Sequence, residues 1–346
     1  MSKIRIRQAD IHADRDCLVE SLREHLTALS TERRFRWFYE ENPDGYAQAW
    51  IAEDTESGRT IGSGAIIPRR VHVADTEQQV AVMADFWIHP NFRSLGPAVK
   101  LQRACIEAAN TKAFAFYDLP QGQMPAVYRR LRILGEKQLL TLVKPLRADP
   151  YVRRITSVVG LVSVLSLGAN LWLRFCDWLR RRRSDCAVSR HIGEIGPEFS
   201  ELARNARNDA EICVVRSAEY LNWRYLRHYH LSYEVYTARR EGRLVAYAVV
   251  YDTGTYADII DLFGFFEPDI IRELVLEIAT IFRARGRAAL SLPLHAPDRW
   301  VDVVQRLGFS ERGRRPLVIQ ESDGAGSASE QRADAAWFLC YGEIDY

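Results

Sequence analysis

Asp85 to Ala98, DFWIHPNFRSLGPA, reads as a strand that stops at His89-Pro90, turns through Arg93 and Gly96, and opens a helix ending near Lys112. A helix that starts where a strand ends leaves its first N–H groups without intrahelical partners and aims them, with the positive end of its dipole, at one point. Such a corner binds anions. Arg93 adds a charge-assisted donor, and Gly96 removes the Cβ that would hold a phosphate away. Pro97 suits the first helical turn because its missing N–H would be unpaired there. A diphosphate is therefore expected on the amides around Leu95, Gly96 and Ala98, with Ser94 in the turn and Ile88 at the end of the strand.

Outward from this corner, residues 3–8 alternate like a strand, and HADRDCLVESLREHL and STERRFRWFYEENPDG carry helical spacing. Two strands surround a Ser-Gly turn in AWIAEDTESGRTIGSGAIIPRRVHV, and QVAVMADFWIHP is a longer third. After the helix come AFAFYDL as a strand, MPAVYRRLRIL as a short helix and KQLLTLVKPL as a closing strand. The order predicts a mixed α/β domain over residues 1–148. The pattern returns in LNWRYLRHYHLSYEVYTARREGRLVAYAVV, where Trp223 and Tyr225 repeat the Trp-x-Tyr of Trp37 and Tyr39. The reading is a duplication, with a second domain over residues 190–346.

The run FWIHPNFRSLGPA resembles the acyl-CoA-binding signature of the GNAT acyltransferase superfamily, in which a strand ending in apolar-x-Pro is followed by Q/RxxGxG/A. The resemblance implies a tandem GNAT-type α/β fold and acyl-CoA, most often acetyl-CoA, as the acyl donor. Ile88, Arg93, Ser94, Leu95, Gly96 and Ala98 would then form the donor site. It implies N-acyl transfer to an amine; an amino sugar or lipid-linked envelope precursor would fit. Pro97 departs from relatives that offer a backbone N–H at that position. The second half has DLFGFFEPDIIREL at the equivalent place, without the Q/RxxGxG/A pattern, and with Glu267 and Asp269 to repel a diphosphate. That half is expected to lack a CoA site of its own.

Acyl transfer requires that an ammonium lose a proton and that a thiolate depart. Strand alternation puts Asp85, Trp87 and His89 on one face and Phe86 and Ile88 on the other, which makes Asp85 the candidate base. The resemblance assigns Tyr128 to the leaving thiolate. Trp37 and Tyr39 border the expected acceptor side. No metal is expected. The competing expectation is a non-catalytic module that binds acyl-CoA or a membrane partner.

Between the halves, residues 149–189 form a basic, apolar helical linker. Ile155 to Leu173 is a run of 19 residues without a charge, and Asp149 to Arg190 holds eight Arg against three Asp. Three readings stay open for 155–183: a helix on an anionic membrane surface, a buried connector, or a span. The net charge of +2 gives no general drive toward nucleic acid. Six scattered cysteines without a CxxC pair, and an N-terminus without a signal-like apolar core, suggest a reduced cytoplasmic protein, peripheral at the inner face of the membrane. ESDGAGSASEQRADAA is expected as a surface linker and Trp337 to Tyr341 as a docked strand.

Overall fold

The computed structural model describes residues 4–74, 76–92, 95–133, 137–155, 159–181, 184–206, 210–322 and 335–344. The chain begins with β1 (Ile4–Gln8), α1 (Arg15–His25) and α2 (Glu32–Phe35), which runs into a π-helical turn at Arg36–Glu40. β2 (Gln48–Asp54), β3 (Thr60–Val73) and β4 (Thr76–Ile88) follow, then a 3-10 turn at Pro90–Phe92 and α3 (Leu95–Lys112). β5 (Ala115–Asp118), α4 (Met124–Arg130) and β6 (Gln138–Pro145) lead to α5 (Asp149–Ile155) and α6 (Val159–Arg180). The order then repeats: β7 (Cys186–Arg190), α7 (Pro197–Asn205), β8 (Ile212–Val214), α8 (Ala218–Leu221) and a second π-helical turn at Asn222–Leu226. β9 (Glu234–Arg240), β10 (Arg243–Asp252), β11 (Ala257–Gly264), α9 (Pro268–Ala284), β12 (Ala289–His295), α10 (Asp298–Arg306), β13 (Ser310–Pro316), β14 (Val318–Glu321) and β15 (Trp337–Cys340) complete it.

The two halves meet through matched local structure. The Thr31 side chain caps α2 by accepting from the Arg34 N–H, and the Ser217 side chain caps α8 by accepting from the Tyr220 N–H. Each capped turn leads into a π-helical segment that carries a Trp-x-Tyr. Trp37 and Trp223 stack with centroids 4.8 Å apart. Each indole N–H donates to the other tryptophan's carbonyl, at 2.9 and 2.8 Å. That reciprocity is what a local two-fold relation between duplicated halves requires.

The first half builds the strand order β1-β2-β3-β4-β5, and the second builds β7-β9-β10-β11-β12. The next strand on each side is exchanged. β6, read from the sequence as closing the first half, lies between β12 and β13, while β14 pairs antiparallel with β5. Each half thereby covers the other's open edge, with Leu139 and Leu142 fully buried. The second-half sheet also starts at β7, before residue 190, with β7 pairing β9 as β1 pairs β2. β15 pairs with both β12 and β8, and β8 pairs with β3, so the strands form one continuous sheet. The expected docking of Trp337 as a strand is observed; residues 323–334 of the expected linker lie outside the described residues. All six cysteines are free.

α6 packs with its polar side inward. Ser166 and Asp177 are buried, and Asn170, half-buried, accepts from the Ala148 N–H at 2.7 Å and donates to Asp149 at 3.1 Å. The buried Lys144 ammonium donates to Asp177 at 2.5 Å, and Arg283 pairs with the same carboxylate. The opposite side, Val164, Leu167, Leu171, Trp172, Phe175 and Trp178, is exposed. The spanning reading of this segment is corrected: among the described residues no helix is long and apolar enough to cross a membrane. Asn170 and Asp177 of its inner stripe are committed to ion pairs and hydrogen bonds with the fold.

Candidate active site

β4 pairs with β5 only from Val80 to Val82, against Ala115 to Tyr117. β4 then continues to Ile88 while β5 ends at Asp118, and the strands part. At the same level the β3–β4 register shifts between Ser63 and Ala65, and Asp85 has φ +50°. This is a bulge, an extra residue that bends the strand and increases its twist. Gly64 faces it; a Cβ there would lie 3.2 Å from both Phe86 Cδ2 and Cys105 Sγ. A cavity of about 750 Å³ occupies the parting. Met83, Phe86, Gln102 and Met124 line it on the α3 side, and Arg34, Trp37 and Asp85 on the side of α1 and α2. His228, Tyr229, His230 and Leu231 of the second half also line it. The cavity therefore passes through the sheet.

Asp85 is buried, and its carboxylate takes both terminal nitrogens of Arg34, at 2.7 and 2.9 Å, and the Tyr39 hydroxyl at 2.8 Å. The expected faces hold beyond the bulge: Trp87 stacks on His25 with His89 beside it, while Ile88 packs in the apolar cluster containing Leu101 and Cys105 of α3. Tyr39 is buried against Phe35 and Asp85, and Trp37 is mainly a seam residue that also touches the cavity. The Tyr128 hydroxyl donates to Asp118 at 2.6 Å and accepts from Gln102 at 2.8 Å. Burial first, then the Asp118 charge, hold the Tyr128 hydroxyl well above its ordinary range, so it stays protonated. Tyr128 does not itself line the cavity; its two partners do.

α3 begins at Leu95, slightly earlier than expected, and puts Gly96 and Ala98 in its first turns. Open space surrounds the position a Gly96 Cβ would take. Arg93 and Ser94 lie outside the described residues, as does the Leu95 side chain.

Sequence reasoning missed Arg34, Gln102, Asp118, His228 and His230. The His228 Nδ1 accepts from the N–H groups of His230 and Leu231, at 3.3 and 3.0 Å, which leaves the neutral ring's proton on Nε2. Burial first, then the Arg224 charge, push His228 down to about 3. His230 is lowered as well, by burial and then Arg34. Both imidazoles are neutral at pH 7. The available signal was HYH directly after the repeated Trp-x-Tyr, but nothing local says that it faces the other half's sheet.

Residues 13–130 match the Acetyltransferase (GNAT) family. Over these residues the chain is similar to the GNAT family. The match supports an acyl-CoA-dependent N-acyltransferase of that type. No curated protein matches the sequence. Among solved structures, a probable N-acyltransferase from Enterococcus faecalis V583 is similar with a TM-score of 0.66 at 10% identity, over 93% of this chain and 73% of that one. A GCN5-related N-acetyltransferase from Anabaena variabilis gives 0.64 at 13% identity, again over 93% and 73%. Saccharomyces cerevisiae N-myristoyltransferase with bound myristoyl-CoA gives 0.55 at 11% identity, over 93% of this chain and 79% of that one. At these identities the likeness is one of fold.

The GNAT-like second half treats the equivalent parting differently. β11 and β12 pair in parallel only at Ala257–Asp258 against Leu290–Ser291. The space beyond is filled by β15 and the turn Tyr341–Glu343: Cys340 approaches the Leu262 carbonyl and Arg224 donates to Gly342 O at 2.5 Å. The chain's own C-terminal segment thus sits in the second gap. Beneath it, buried Arg216 donates to Asp261 at 3.2 Å and lies 2.6 Å from Glu343, off the line of a hydrogen bond. Tyr225 and Tyr247 both donate to Asp261, as Tyr39 does to Asp85.

Burial pushes Glu343 up to about 7, with Arg216 opposing and Asp261 adding. An ordinary glutamate ionises near pH ~4.3. Between these values the unfolded chain binds fewer protons than the folded one, so this group's stability contribution is full below the lower value and is lost as pH rises through about 7. His228 has the opposite sign: its contribution is present above about 6.5 and is lost as pH falls toward its folded value. Comparing the wild type with Glu343→Gln at each pH cancels His228. Urea midpoints between about pH 5 and 8 should show the wild type losing ground to the variant as pH rises; parallel curves would refute the assignment.

Proposed function

We propose that the protein transfers an acyl group, acetyl in the simplest case, from acyl-CoA to an amine in the cavity between β4 and β5. The observation that carries this reading is that the cavity passes through the sheet at the Asp85 bulge, offering a donor side at α3 and an acceptor side completed by the second half. The pantetheine arm would lie in the parting. The diphosphate would meet the first-turn amides at Leu95, Gly96 and Ala98, with Arg93 and Ser94 before them and Ile88 at the strand's end. Pro97 leaves that cradle one donor short.

The acceptor ammonium would be drawn by Asp118, since the other carboxylate on the cavity, Asp85, is neutralised by Arg34. Neutral His230 would take the ammonium's first proton; the freed nitrogen attacks the thioester carbon, its second proton passes to solvent as the C–S bond breaks, and the thiolate leaves to be protonated by solvent. This arrangement gives Asp85 a positioning role, because Arg34 and Tyr39 already occupy its carboxylate. Tyr128 is likewise better suited to orienting Asp118 than to giving up a proton that burial and Asp118 both hold. For the acceptor we favour an amino sugar or a lipid-linked envelope precursor met at the inner membrane face, because the apolar side of α6 faces outward.

The test is thiol release from acetyl-CoA with a panel of amines. Wild type should turn over at least one amine, and His230→Gln should lose about 100-fold in kcat/KM while keeping CoA binding. Full activity in that variant would remove His230 as the base. CoA binding without turnover of any amine would favour a non-catalytic acyl-CoA-binding module.

A further inference from the structure

We infer that the outer face of α5 and α6 is an anionic-membrane docking surface that holds the enzyme parallel to a bilayer without crossing it. α6 is amphipathic in the inverted sense. Ser166, Asn170 and Asp177, spaced four and seven apart, turn into the protein, and Asn170 and Asp177 anchor the helix through Ala148, Asp149, Lys144 and Arg283. Val164, Leu167, Leu171, Phe175 and Trp178 recur at intervals of three and four on the other side, with Trp172 beside them, and all are exposed. Trp178 is 66% and Val164 70% exposed, so this is a continuous stripe and not the scattered apolar exposure of an ordinary surface.

The charges around the stripe select its occupant. Arg153 and Arg154 on α5 and Arg174 on α6 are exposed. The acidic residues of the two helices are withdrawn: Asp149 is paired with Arg147 and Asn170, and Asp177 is buried. A cationic, acid-free rim around Trp and Leu side chains complements anionic headgroups above acyl chains. A second copy of the chain, packed stripe to stripe, would set a face carrying exposed Arg153, Arg154 and Arg174, with no exposed carboxylate on α5 or α6, against another of the same sign. The charge pattern therefore favours a lipid surface over self-association.

The experiment is flotation of the full-length protein with vesicles of phosphatidylcholine alone and of phosphatidylcholine mixed with phosphatidylglycerol. Binding is expected to the anionic vesicles and to weaken with salt. Replacing Trp172, Phe175 and Trp178 together by Ser should lower partitioning by at least about tenfold, because three buried aromatic anchors are removed. Arg153→Glu with Arg154→Glu should lower it on anionic vesicles only. Unchanged thermal unfolding in both variants would show that the inward stripe still holds the helix. Failure of the wild type to float, or equal binding by the aromatic variant, overturns the inference. A wild-type dimer dissociated by the same aromatic variant would assign the face to a second copy instead. Vesicle binding and thiol release are separate readouts, so loss of the transferase reading leaves this inference standing and the reverse also holds.

Discussion

Arg34→Leu is expected to lower stability by about 3–5 kcal/mol and to abolish acyl transfer, although Arg34 lies 51 residues from its partner in sequence. The Asp85 side chain is 1% exposed, and without the guanidinium its charge would keep, among the described residues, only the Tyr39 hydroxyl at 2.8 Å. A buried carboxylate stripped of its cation carries a desolvation cost that one neutral donor cannot offset. The double variant Arg34→Met with Asp85→Asn should recover most of the stability, because both charges leave together. Urea unfolding measures both. If Arg34→Leu unfolds at the wild-type midpoint, the pair is not the clamp that its geometry describes. If Asp85→Asn folds normally but loses turnover with its pH profile flattened, the positioning role assigned to Asp85 must yield to a direct one.

Trp37→Ala should cost about 3–5 kcal/mol, typical of deleting a large aromatic from a packed interior. Its indole stacks on Trp223 and donates across the seam, and the partner donates back. Arg224 lies over the same ring, 5.5 Å from its centroid. Trp223→Ala should cost a similar amount, and the double variant clearly less than the sum, because the second truncation finds its contacts already lost. Additivity within about 0.5 kcal/mol would show that the two rings do not act as a unit. The readout is again the urea midpoint, with the denaturant slope checked for a half that unfolds separately.

What the sequence made legible was local. The strand-to-helix corner is written in the turn chemistry of Pro90, Gly96 and Pro97, and α3 starts there. The paired Trp-x-Tyr motifs were visible as a repeat, and the caps at Thr31 and Ser217 mark the helices that carry them. The bulge at Asp85 was not legible, since a period-2 pattern contains no sign of an extra residue until a partner strand is present. Arg34 meeting Asp85, and His230 meeting the first-half cavity, are tertiary events between segments whose local patterns are complete without them. The uncharged run after Ile155 predicted a helix, but only its packing shows that Ser166 and Asp177 face in while Trp178 faces out. The placement of β6 beside β12 was hidden for a related reason: an alternating strand does not record which open edge it completes.

That exchange of edge strands bears on how such a molecule is made and kept. The side of β5 that β14 covers stays bare until translation has passed Glu321, so the amino-terminal half leaves the ribosome with an adhesive border it cannot close alone. The carboxy-terminal half is equally dependent, because the strand beside β12 was synthesised long before it. Once duplicated copies interlock in this manner, neither can be discarded by deletion, and a half whose own donor gap is stoppered still survives as the other's structural complement.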